Sequence, residues 1–402
     1  MRHITIAGAS LAGFRAAEAL RGAGYDGVIT LIGDEIRKPY DRPPLSKQVL
    51  SGAWDPSRTA LAVPESAEEL DLLWELGHAA VSLDVDGGSV TLDDGRQLAH
   101  DGLIIATGAR ARTLPGVADR PGVYVLRTLE DSLAIRGAIE AGAHHVVVVG
   151  AGFIGAEVAA TCRGLDLDVT LVEPLPTPLA RALPPVIGEV VADLHREHGV
   201  DLRLGVGVEA VESGEGGASE VRLSDGSVLV ADVVVLGLGV VPNTEWLEGS
   251  GLELDNGVVC DATCLAAPGV VAAGDVARWD SRRYGGPLRI EHWDHAADQA
   301  EHAARTLLAW GAGEQGEAYD PVPWFWSDQY DRKIQFAGRA AATDEVRLID
   351  GSFEERRFVV LFGRDGLVSG VLGMNRPAPV IRWRNQMLAG ISWADALASL
   401  ES

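Results

Sequence analysis

The chain has 402 residues, 47% of them hydrophobic and 23% charged, and a net charge of -24. That length suffices for two or three domains of ordinary globular composition. The acidic charge argues against nucleic acid or an anionic membrane as the main partner, and no apolar run approaches the ~20 residues that a membrane helix requires. Three cysteines are too few for a disulfide framework. The first strand is expected within a few residues of Met1, which leaves no signal peptide, so the expected location is cytoplasmic.

"ITIAGASLAGFRAAEALR" (4–21) reads as a strand, a tight turn and a helix, with Gly8, Ser10 and Gly13 at the three positions of a dinucleotide fingerprint. The middle position normally carries glycine so that the backbone can approach a pyrophosphate. Serine is small, and its hydroxyl suits a phosphate oxygen. "GVITLIGDE" follows as a strand ending on Asp34 and Glu35, where a carboxylate would meet a ribose. Next comes a stiff proline-rich loop, "KPYDRPPLSK", which carries Arg42 and Lys47. "GLIIATGAR" is then an apolar strand ending in Thr107 and Gly108.

A second fingerprint, "HHVVVVGAGFIGAEVAA", has its glycines in full at Gly150, Gly152 and Gly155, with Ile154 between the last two. Its β-branched run suits a strand buried on both faces of a parallel sheet. The helix beyond would turn its first amides toward a pyrophosphate. A further strand, "DVTLVE", closes on Glu173, placed to bond both ribose hydroxyls, and no cation follows before Arg181. "VVVLGLGVVPN" repeats the strand-then-glycine pattern through Gly239, and "GVVAAGDVAR" ends a strand at Gly274-Asp275. After about Ala318, "KIQFAGRA", "RRFVVLFGRDGLVSGVLG" and a closing helix around Ile381–Ala389 suggest a small α+β domain.

The order GxSxxG, DRPPLSK, ATG, GxGxxG, GxGxxPN, GD resembles the glutathione-reductase-like flavoproteins. Within them, "DRPPLSK", "LRTLED", "IEHWDHA" and "PWFWSDQYD" resemble the FAD-containing, NADH-using ferredoxin reductases of oxygenase and cytochrome P450 systems (putidaredoxin reductase-like). The resemblance implies an α/β chain of two nested Rossmann-like domains and a small C-terminal α+β domain. Residues 1–110 with 244–318 would bind FAD, 111–243 would bind NADH, and 319–402 would form the C-terminal domain. FAD contacts fall on Ala12, Asp34, Lys47, Val81, Arg127, Asp275 and Trp293, with Arg112 a further phosphate candidate. Lys47 would sit near flavin N5, paired with Glu157, and its cation would stabilise charge gained on reduction. Glu157 is also expected in the first turn of its helix, where an acid suits the dipole.

The thiol pairs of disulfide reductases are missing. Cys260 and Cys264 are spaced differently, and with Cys162 they cannot supply four ligands of an iron–sulfur cluster. His292 and His295 stand at i, i+3 without the acid–histidine set of a metal site, so no metal is expected. Electrons must then leave FAD for an external carrier. The favoured acceptor is a [2Fe–2S] ferredoxin feeding a P450 or dioxygenase. The alternatives are an NADH oxidase, a rubredoxin or monodehydroascorbate reductase, or a redox-sensing flavoprotein acting by NADH-linked association. Docking would use Arg278, Arg282, Arg283 and Arg289, four arginines against Asp280 (+3), and Arg376, Arg382 and Arg384, three with no acid (+3).

Overall fold

The computed structural model describes residues 1–61, 70–117, 120–214 and 219–401. They form two compact units: 1–41, 57–110 and 240–323 in the first, and 42–56, 111–239 and 324–402 in the second.

In the first unit a six-stranded sheet runs Leu265–Ala267, Val270–Ala272, Gly102–Ile105, His3–Ala7, Val28–Gly33, Leu72–Leu76. All but the first pair are parallel. Strands buried on both faces need unbroken apolar runs, and Ile4, Ile6, Ile29, Leu31, Leu103 and Ile104 supply them, fully buried. Helices Leu11–Gly22 and Trp293–Gly311 pack their alanine-rich faces on this sheet, sharing one core with it.

The second unit repeats the design. A fully parallel five-stranded sheet runs Asp201–Leu204, Asp168–Glu173, His145–Val149, Val233–Leu236, Val123–Val125. The DRPPLSK segment belongs to this unit. Its 3-10 turn Pro43–Ser46 is fixed by Ser132 Oγ donating to Leu45 O (2.7 Å) and Thr161 Oγ1 donating to Ser46 O (2.7 Å), while Leu50 joins the local core. The same unit includes an antiparallel sheet ordered Trp324–Gln329, Arg332–Gly338, Leu367–Met374, Arg357–Arg364, Glu345–Ser352. The "RDGL" hairpin turns on Asp365 and Gly366, both at positive φ (52° and 76°), as a two-residue Asp-Gly loop requires. The closing helix begins at Pro377, earlier than its apolar pattern suggests, because proline's fixed φ and missing N–H suit a first helical position.

Candidate functional site

The first cradle is the turn between His3–Ala7 and Leu11–Gly22. Gly8 has φ +119°, and a Cβ there would lie 2.0 Å from Ala106 O. A Cβ on Gly13 would lie 1.8 Å from Gly8 O, so the helix packs directly on the turn. Ser10 is the N-cap, with extended backbone and no side-chain cap bond, and no acid stands in the first helical turn. The amides there are therefore suited to a phosphate. Ala12 lies beside Gly274, whose φ is +77°. Asp34 is exposed and accepts from Glu35 N, and Glu35 accepts from Tyr40 OH. Val81 is exposed on the strand Ala80–Asp84. Thr107 and Gly108 are locked to Asn243: Thr107 Oγ1 donates to Asn243 O, Asn243 Nδ2 donates to Thr107 O, and Asn243 N donates to Gly108 O, at 2.9, 2.9 and 3.0 Å. Asp275 is half-buried, its carbonyl accepting from Arg289. Trp293 opens its helix and donates Nε1 to Asp41 at 2.7 Å.

Two residues of this cradle escaped the sequence reading. Asn243 ties the ATG turn, and buried Gln299 accepts from Gly274 N at 2.9 Å. Gln299 sits on the inward stripe of its helix, where a polar residue among alanines was the available signal.

The second cradle lies between His145–Val149 and Phe153–Gly164. Gly150 (φ +102°) and Gly155 are excluded from bearing a Cβ by Gly237 O at 2.4 Å and Gly150 O at 1.9 Å. A Cβ on Gly152 would instead meet nothing within 4 Å. This glycine thus leaves room for something outside the chain. Glu173 is buried and accepts from Ala151 N (2.7 Å) and Leu175 N (3.0 Å), which sets a negative charge beside the glycine turn. Ile154 and Arg181 are exposed. Gly239 has φ +84° with open space around its Cβ direction, and its carbonyl accepts from Arg112 N.

Arg42, Lys47, Arg112 and Arg127 belong to the second unit. Arg42 donates to Arg127 O at 2.7 Å. Lys47 Nζ meets Glu157 Oε2 at 2.6 Å, and Ser46 Oγ donates to the same oxygen at 2.6 Å. Glu157 Oε1 accepts from Ser327 Oγ (2.8 Å) and Asp328 N (3.2 Å). The helix starts at Phe153 with no acid in its first turn. Glu157 is therefore placed by these four donors and not by the helix dipole, which corrects the expectation from its sequence position.

The docking arginines are largely neutralised. Arg278 pairs with Asp255, Arg289 with Glu291 (2.7 Å), Arg283 with Asp320 (3.7 Å) and Arg376 with Asp350 (3.3 Å). Asp255, Asp320 and Asp350 close on them from 23 to 37 residues away and Glu291 from just beyond the counted stretch, so the +3 counted along the chain is not the charge in the fold. Arg384 is half-buried; Arg282 and Arg382 are exposed and have no ion-pair partner among the described residues. All three cysteines are free and buried. Burial pushes Cys162 and Cys260 up to about 12 and raises Cys264 well above the ordinary thiol value, so none supplies a thiolate. His295 lies within 3.2 Å of Tyr319 OH, and burial pulls it down to about 3 and His292 to about 4. No described helix is long and apolar enough to cross a membrane.

Two glycine-turn cradles on one chain, the second backed by a buried carboxylate, define a flavoprotein of the two-dinucleotide class. The family model described as pyridine nucleotide-disulphide oxidoreductase matches residues 2–300, and the reductase C-terminal model matches 324–399. Rhodocoxin reductase of Rhodococcus erythropolis is 41% identical over 93% of this chain and 86% of its own length. The ferredoxin–NAD(+) reductase component of the anthranilate 1,2-dioxygenase system of Burkholderia cepacia is 37% identical over 96% and 94%. In the crystal structure of the covalent putidaredoxin reductase–putidaredoxin complex, the matching chain superposes with a TM-score of 0.89 at 34% identity, over 96% of this chain and 92% of that one. The chain belongs to the pyridine nucleotide-disulphide oxidoreductases, in the branch of putidaredoxin reductase-like ferredoxin–NAD reductases. Proteins of that kind use FAD and NAD(H), and the open Gly152 turn and the acid-free first turn at Ser10 fit such ligands.

Proposed function

We propose that this chain is an NADH:ferredoxin oxidoreductase that supplies electrons, through a [2Fe–2S] ferredoxin, to a cytochrome P450 or other oxygenase. The observation that carries the reading is the pair of cradles, one ending on Asp34 and Glu35 and the other on buried Glu173, in a chain whose cysteines are all sealed in the core. Bound FAD would supply the capacity to take a hydride from NADH and to give up its two electrons one at a time, with the proton released to solvent. The Gly8–Gly13 turn, Ala12, Asp34, Glu35, Val81, Thr107, Gly108, Gly274, Asp275 and Trp293 hold FAD, with Arg42, Arg112 and Arg127 as further contacts. Gly150, Gly152, Ile154, Gly155, Glu173, Arg181 and Gly239 hold NADH.

Lys47 presents a cation that stabilises negative charge developing at the reacting ring, and Glu157 orients it. Residues 1–110 with 244–318 act as the FAD domain, except that 42–56 belong to the other compact unit, 111–243 act as the NADH domain and 319–402 as the C-terminal domain. A buried-thiol chain of this family, drawing on NADH, belongs in the cytoplasm. The test is steady-state NADH oxidation in air by the purified FAD-loaded protein, with and without [2Fe–2S] ferredoxins, reading cytochrome c reduction. Ferredoxin-dependent turnover well above the rate with oxygen alone is expected. Turnover equal with and without every ferredoxin would overturn the reading in favour of an oxidase.

A further inference from the structure

The Glu157 carboxylate is held from two sides that are far apart in sequence. Ser46 and Lys47 reach Oε2, while Ser327 and the backbone of Asp328 reach Oε1. The second pair comes from the first strand of the C-terminal sheet, Trp324–Gln329, whose alternate residues Phe325, Ser327 and Gln329 are buried. A strand face turned into a core normally carries apolar side chains. Here Phe325 obeys the rule, meeting Phe153 edge-on at 4.5 Å, and the next two positions break it. Ser327 is fully buried, and behind it fully buried Gln329 donates Nε2 to Ser327 Oγ at 3.3 Å.

Tyr330 continues the same line. It begins the two-residue loop to Arg332–Gly338 and has φ +55°, which a bulky side chain adopts only under constraint. Two histidines of the helix-end segment 195–198 supply that constraint. His195 Nδ1 lies 2.8 Å from Tyr330 OH, and the His198 ring stacks on Tyr330 at 3.6 Å and 12°. Burial keeps His195 neutral, lowering it to about 4. The strained residue thus pins the end of the strand whose register sets Ser327 and Asp328 against Glu157.

We infer that Ser327, supported by Gln329 and by the clamp of Tyr330 on His195 and His198, is a positioning residue that fixes the Glu157 carboxylate and through it the Lys47 ammonium. This rests on the proposed role of Lys47 and Glu157 in flavin reduction. A buried carboxylate with all four acceptor sites occupied cannot rotate, and its cation stays on one oxygen. Removing the Ser327 hydroxyl leaves Oε1 held only by the longer bond from the Asp328 amide, at 3.2 Å, which loosens the pair.

The test uses the FAD-loaded protein and its apoprotein, in wild type, Ser327→Ala, Ser327→Thr, Lys47→Ala, Glu157→Gln and the Ser327→Ala/Glu157→Gln double variant. The chain has only three lysines, Lys38, Lys47 and Lys333, so acetic anhydride labelling reads Lys47 peptide by peptide with the other two as internal references. In Ser327→Ala, Lys47 labelling should rise several-fold relative to Lys38 and Lys333 in both forms, as roughly one charge-assisted hydrogen bond is lost. Stopped-flow reduction by NADH should slow roughly tenfold in the same variant, should recover in Ser327→Thr, and should slow no further when Ser327→Ala is added to Glu157→Gln. Unchanged Lys47 labelling in Ser327→Ala overturns the inference, whatever the rate does. If labelling responds but Lys47→Ala reduces at the wild-type rate, Ser327 positions the lysine and it is the role of the pair in flavin reduction that falls.

Discussion

Replacing Glu173 with glutamine removes one charge at nearly constant volume, and it is the sharpest test of which nicotinamide cofactor the second cradle takes. Glu173 is 8% exposed and its two oxygens face the amides of Ala151 and Leu175, so the charge is fixed beside the glycine turn. A carboxylate bonding ribose hydroxyls would stand ~5 Å from a 2′-phosphate carrying about -2. Coulomb's law at an effective dielectric of about 20 to 40 then gives about 3 to 7 kcal/mol of repulsion. At ~1.4 kcal/mol per factor of ten, NADH should exceed NADPH in kcat/KM by at least ~100-fold in the wild type. In Glu173→Gln the ratio should fall by about the same factor. NADH efficiency itself should drop about tenfold, because one carboxamide oxygen cannot serve both amides and a buried donor left unpaired loses about 1–3 kcal/mol. The assay is ferricyanide-coupled turnover of the FAD-loaded protein across a range of each cofactor. A wild-type ratio within threefold of unity, or a ratio that the substitution leaves unmoved, would refute the reasoning.

Docking should depend on Arg282 and Arg382, exposed arginines with no ion-pair partner among the described residues, and less on Arg278, Arg283 and Arg289, which are already paired. Ferredoxin KM should rise several-fold in Arg282→Glu with Arg382→Glu, and with salt through the ~10 Å screening range, while ferricyanide turnover stays constant; a salt-indifferent KM in both proteins would exclude a charge-steered encounter. Stability should also fall on acidification: His195 and His292 are lowered to about 4 and His295 to about 3, so the unfolded chain binds these protons near pH 6.5 while the folded one refuses them. Each should withdraw up to ~1.4 kcal/mol per pH unit between about pH 6.5 and 4, and a thermal midpoint that stays flat over that window would contradict their burial.

The two cradles were legible in the sequence because their physics is local. A strand, a turn that excludes Cβ atoms and a helix N-terminus occupy some fifteen consecutive residues, and what a Cβ would meet at Gly8, Gly13, Gly150 and Gly155 is backbone five residues away or at the end of the adjacent strand. Resemblance extended this reading to the family, its cofactors and its [2Fe–2S] partner. What stayed hidden depends on residues brought together from far along the chain. Arg278 looks cationic until Asp255 folds onto it, and Glu157 looks like a dipole-suited surface acid until Ser46, Lys47 and Ser327 close around it. The motif "PWFWSDQYD" did carry a signal, since the period-2 line Phe325, Ser327, Gln329 places two polar residues on the face its phenylalanine marks as buried. Polar side chains in such positions require partners, and those partners lie 170 residues away for Ser327. A strand pattern therefore announces that a buried acceptor must exist without naming it. Only the fold, by setting the helix of Glu157 against that strand, identifies which carboxylate it is.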